Sequence, residues 1–164
     1  MRVSGLTWTK FIFLYIPEDH ADFYNNLRLF GDQVATKFPS AGYDIEEAGK
    51  SFALDRYTAC VMHLMRSLEV ALDAVGIAVG LSNAVIEANN SWESLLRKIN
   101  DQIKANDDKA PAMNWLLRRD WLAKRQFIID VRAHLFSVKN AWRNPSMHLE
   151  KKYTEREAER IFRA

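Results

Sequence analysis

The stretch "IIDVRAHLFSVKNAW", residues 128–142, decides the fold. Ile128, Val131, Leu135, Val138 and Trp142 recur at spacings of 3, 4, 3 and 4, the interval that stacks side chains on one face of an α-helix. A half-buried strand would instead alternate at every second position. A helix carrying such a stripe has to bury it against other elements of the same chain. One step around the same helix come Arg132, Phe136, Lys139 and Arg143, which sets three cations along the border of the stripe.

The partners for that stripe are found upstream. Val61, Leu64, Leu68, Ala71 and Val75 repeat the same spacing, and Trp92, Leu95, Leu96, Ile99 and Ile103 share one side of a unit that starts near Ser91. Pro17 with Glu18 and Asp19 opens an earlier helix, on which Phe23, Leu27, Phe30 and Val34 form one face until Pro39 ends it. In "DIEE", Asp44 is placed to cap a long helix while Glu47, three residues on, reaches back. Gly76 and Gly80 weaken the far end of that helix, "LSNAVIEANNS" reads as a partly irregular connector, and "KANDDKAPAMN" reads as a loop. Thr154 and Glu157 form a capping box for a last short helix. The apolar "FIFLYI" at residues 11–16 reads as a short strand or the first turns of a helix. The expectation is an all-α helical bundle of five to six helices forming one globular unit, with residues 1–40 as an extension packed on a bundle of residues 41–164.

Composition narrows the function. With 48 % apolar residues in 164, the chain has material for one core. A single cysteine, Cys60, makes no internal disulfide, so a reducing cytoplasm is the expected setting, and its apolar mid-helix position reads as core packing. Neither "FIFLYI" nor "AVGIAVGL" (74–81) approaches the roughly 20 residues of a membrane span. Charge is unevenly placed: residues 1–114 carry 11 Lys and Arg against 15 Asp and Glu, whereas residues 115–164 carry 12 against 6. The C-terminal third is the part suited to a polyanion. There is no glycine-rich phosphate loop, nucleophile elbow or zinc-ligand spacing, so neither metal nor cofactor is expected.

One stretch looks chemical: "WRNPSMH", residues 142–148. Pro145 disfavours the α conformation at Asn144 and removes a backbone donor, so the long helix is expected to end about at Arg143, with His148 folding back toward it across the break. That would set a permanently charged planar fork beside a group that titrates near neutrality, with Asn144 able to orient either. Arg56 and His63 have a similar spacing, but seven residues apart on a continuous helix they merely share a face. His20, His63 and His134 are read as isolated on helix faces, and Trp115, Trp121 and Trp142 as core packing.

"WRNPSMH" resembles the R-x(4 to 6)-H signature of the HEPN superfamily, in which a polar residue, often asparagine, follows the arginine. The likeness extends through "FPSAGYDIEEAGKSFALDRYTACVMHLMRSLEVAL" (38–72) and "FSVKNAWRNPSMHLEKKYTEREAERIF" (136–162). The resemblance implies a helical bundle that pairs about a two-fold axis, so that both copies of the motif face one cleft. Active members cut RNA without a metal and leave a cyclic phosphate, commonly in toxin, phage-defence or stress systems. By position, Arg143 would stabilise charge, His148 would act as base or orient the 2′-hydroxyl, and Asn144 would support them, with Arg132, Lys139, Lys151 and Lys152 as RNA contacts. Three readings follow: a homodimeric endoribonuclease, with a cognate antitoxin or other protein partner; a non-catalytic module binding protein or RNA; and a small-molecule bundle, which would need a sizeable pocket.

Overall fold

A computed structural model describes residues 13–26, 28–89, 91–147 and 151–163. Among them the chain is an all-α bundle without strands. The helices are α1 (Glu18–Asn25), α2 (Gly31–Lys37), α3 (Gly42–Ala53), α4 (Tyr57–Val79), α5 (Asn83–Glu87), α6 (Trp92–Lys109), α7 (Trp115–Val138), α8 (Asn144–Met147) and α9 (Glu155–Phe162). A widened π-turn, Lys139–Arg143, joins α7 to α8. This exceeds the five to six helices expected, because turns divide two of the expected runs and short helices fill connectors.

The central element is α4. Its C-terminal half packs with α6 and α7 through Leu72, Val75, Ile99, Ile103, Trp121 and Leu135. Its N-terminal half packs with α3 and α9 through Ala48, Phe52, Cys60, Leu64, Met65 and Ile161. Leu68 and Val138 touch both clusters, so the two are one continuous interior. The α7 stripe holds its predicted orientation: Ile128 and Leu135 are buried, and Val131 and Val138 pack against them. Burial pushes the Cys60 thiol up to about 12, consistent with a packing residue rather than a nucleophile.

Elsewhere tertiary partners overrode local reading. The expected helix through Phe23 and Val34 is broken between Asn26 and Phe30, and Gly31 takes φ +85° before α2. The break lets Phe23 pack on Phe52 (ring centroids 4.6 Å apart) while Phe30 stacks on Phe162 at 5.3 Å. Leu27 lies outside the described residues. Asp44 does not cap: a 3₁₀ turn at Pro39–Ala41 leads directly into Gly42, and the Asp44 carboxylate accepts from His63 Nδ1 (2.8 Å) and Arg66 Nε (2.9 Å). His63 is therefore tied to α3. The long helix expected from Asp44 is two, separated where Asp55 adopts φ +58°. "KANDDKAPAMN" is mostly helix, not loop, because its polar side chains have partners: Asn106 donates to the Val79 carbonyl, and Asp107 accepts from Trp121 Nε1 and Arg125. Phe13–Ile16 form neither strand nor helix, and Phe11 and Ile12 lie outside the described residues. His20 is buried against Phe52, not isolated.

The approach of α1 to α3 depends on Gly49. A Cβ there would run into the Phe23 carbonyl oxygen and the Leu29 side chain. Gly49→Ala should destabilise the fold by about 1–3 kcal/mol, read as a lower urea midpoint. Gly42→Ala, where a Cβ meets nothing within 4 Å, should leave the midpoint nearly unchanged.

Candidate functional site

The seam between α7 and α8 is built by Pro145. Lacking an N–H, proline cannot join the regular ladder, and the chain widens one turn before it: the Asn144 N–H donates to Lys139 O, five residues back. Asn144 remains helical (φ −61°, ψ −51°), so the helix does not stop at Arg143 as expected but continues through Pro145 to Met147. The widening absorbs the missing hydrogen bond. Two carbonyls at the seam take side-chain donors: Ser146 Oγ donates to Arg143 O (2.9 Å) and Tyr153 Oη to Trp142 O (3.1 Å).

The Arg143 guanidinium is therefore not needed by those carbonyls. Its side chain is 22 % exposed, its Nη2 lies 3.7 Å from Glu69 Oε1, and its Nε–H is buried without a partner among the described residues. Glu69 Oε1 also accepts from the Trp92 indole at 3.1 Å. His148 lies outside the described residues, as do its two successors.

The other predicted cations have different surroundings. Lys139 is buried, its ammonium engaged by the Glu93 carboxylate and 5.1 Å from the Phe136 ring. This bond holds the Glu93 carboxyl below its ordinary range, so Lys139 is an internal tie and not the solvent-facing cation its position on the helix promised. Arg132, roughly 16 Å along the helix axis from Arg143, is half-buried, and its Nε has no partner among the described residues. Lys151 and Lys152 are exposed. They precede Tyr153, whose N–H donates to Thr58 Oγ1 and whose hydroxyl reaches Trp142, so the chain returns them to the seam. Lys151 bonds Glu157 at 2.9 Å.

Sequence reading missed Glu69, the acid that faces Arg143. Glu69 and Asp73 are the only carboxylates of α4, one turn apart on a mostly apolar 23-residue helix, and that isolation was the available signal. The Asp73 carboxyl is raised by burial and then by the charge of Glu69.

Two further surfaces stand out. A cleft of about 860 Å³ lies between α4 and α7, with Phe30, Leu64, Ala71, Val138 and Phe162 among its walls. Its Ser67 and Ser137 hydroxyls donate to carbonyls of their own helices, Leu64 O and Ala133 O, which leaves a lining suited to apolar contacts more than to a polar metabolite. On α7, Trp115 is 68 % exposed and not core as expected, with Leu116, Leu122 and Phe127 also exposed and Arg119 5.3 Å from the Trp115 ring. Among the described residues no cluster of His, Cys, Asp or Glu is arranged to hold a metal ion, and no helix is long and apolar enough to cross a membrane. No family model, curated protein or solved structure matches the chain.

The capping box of α9 is formed as the sequence indicated, with Thr154 and Glu157 exchanging both hydrogen bonds. The Thr154 N–H, the Lys151 ammonium and the Thr154 hydroxyl together lower the Glu157 carboxyl to about 2, from an ordinary 4.5. A depressed carboxylate contributes stability above its unfolded pKa and loses it as pH falls through the folded one. Glu157→Gln should therefore lower the melting temperature at pH 7, and the gap to wild type should close between pH 4.5 and 2.

Proposed function

We propose that the chain is a HEPN-type, metal-independent endoribonuclease that acts as a homodimer, with Arg143, Asn144 and His148 of both copies forming a composite site. The observation that carries this reading is the Arg143 guanidinium, held half-buried at a helix seam where Ser146 and Tyr153 bond the carbonyls of Arg143 and Trp142, with its own Nε–H unpartnered among the described residues. A planar, permanently charged guanidinium whose Nη2 has only a 3.7 Å contact with the Glu69 carboxylate suits contact with a phosphate. In the proposed reaction His148 takes the proton of a 2′-hydroxyl, O2′ bonds to the adjacent phosphorus, and the P–O5′ bond breaks with the leaving oxygen protonated from solvent. Arg143 stabilises the added negative charge on the five-coordinate phosphorus, and Asn144 orients its neighbours.

Arg132, Lys151 and Lys152 would follow the RNA backbone, whereas Lys139 would contribute only if released by Glu93. A cytoplasmic toxin, defence or stress role, with a cognate antitoxin, belongs to the same proposal. A second reading, a non-catalytic protein-binding module, is favoured by the exposed Trp115, Leu116, Leu122 and Phe127 on α7.

Purified protein incubated with mixed RNA in EDTA should generate fragments ending in cyclic phosphate. His148→Ala should reduce cleavage by about 10²–10⁴-fold and Arg143→Ala by about 10²–10³-fold, with helicity unchanged by circular dichroism. Cleavage that survives both substitutions, or a protein monomeric at all concentrations by sedimentation, would overturn the composite site.

A further inference from the structure

We propose that Glu69 is an acidic gate on Arg143: in the RNA-free protein its carboxylate stands where a phosphodiester would sit, and a polyanionic strand must displace it. The inference rests on the reading of Arg143 as a phosphate-contacting group.

The geometry has three parts. First, Glu69 is held independently of Arg143, because its Oε1 accepts from the indole of Trp92, a buried residue of α6. Second, the carboxylate is near the guanidinium without closing on it. The Nη2 to Oε1 distance is 3.7 Å and Nε–H is unpartnered among the described residues, whereas a bidentate Arg–carboxylate pair makes two parallel bonds of about 2.7–2.9 Å. Glu69 thus makes no bidentate pair with Arg143, yet its negative charge stands beside the guanidinium. Third, Asp73 lies one turn further along α4, where burial and then the charge of Glu69 raise its carboxyl.

An anion approaching Arg143 alone meets this charge at close range and gains little by replacing one weak ion pair with another. A strand that also contacts Arg132, Lys151 and Lys152 offsets the repulsion through several phosphates at once. The gate therefore selects polynucleotide over mononucleotide or free phosphate. Glu69 is a positioning and discriminating residue in this account, not a catalytic one.

Glu69→Gln is the direct test, since a glutamine oxygen still accepts from Trp92 and only the charge is lost. Anisotropy of a labelled single-stranded RNA of about 20 nucleotides, in EDTA, should show about tenfold tighter binding by Glu69→Gln than by wild type. Glu87→Gln, an equal charge change at an exposed residue of α5, should bind like wild type. The gain should vanish in Glu69→Gln/Arg143→Ala, and uridine monophosphate should compete measurably only against Glu69→Gln. If Arg143→Ala weakens binding but Glu69→Gln matches Glu87→Gln or binds less tightly, the gate is wrong and the role of Arg143 stands. If RNA binding is absent from every variant, or indifferent to Arg143, both fall together.

Discussion

Helix α4 has to bury apolar side chains along both halves of its length, and the rest of the bundle is arranged around that requirement. Over 23 residues it carries only Arg66, Glu69 and Asp73 as fully charged side chains. Helices α3 and α9 cover one half while α6 and α7 cover the other, and Leu68 joins the two interiors. Two of these charges, at the border of the interior, meet partners from other helices. Arg66 meets Asp44 of α3, and Glu69 meets Trp92 of α6 and Arg143 at the end of α7.

The same constraint brings the candidate site into being. Helix α7 lies against α4 through Leu135 and Val138, so the residues one step around it, Lys139 and Arg143, are carried to the edge of the interior where acids of α4 and α6 wait. The π-turn at Lys139–Arg143 changes the angular phase of the helix just before Pro145. A regular α-helix through these residues would have aimed Arg143 elsewhere. The widened turn thus links a backbone defect imposed by proline to the direction of a guanidinium. The partners of the cations then divide their roles: Lys139 is engaged by Glu93, while Arg143 has only a 3.7 Å contact with Glu69 among the described residues.

Much of the fold was legible in the sequence because it depends on local rules. The stripes of α4, α6 and α7 follow from periodicity, and the Thr154–Glu157 capping box from a spacing of three. The errors have one pattern. Asp44 looked like a cap, "KANDDKAPAMN" looked like a loop and His63 looked isolated, because each polar side chain was read against its neighbours in sequence. In the fold, Asp44 meets His63 across 19 residues and Asp107 meets Arg125 across 18.

The sequence by itself determined an all-α bundle, the position of Arg132, Lys139 and Arg143 one step around from the apolar stripe of α7, and a proline that interrupts the regular ladder beyond it. Helical spacing and the missing proline N–H are covalent and local, so they act wherever the chain goes. Only tertiary structure decided that the helix passes through Pro145 by widening, that Lys139 is buried, and that Glu69 stands beside Arg143. Those outcomes turn on which donor meets which acceptor once water is excluded, and such pairings form between segments far apart in the chain.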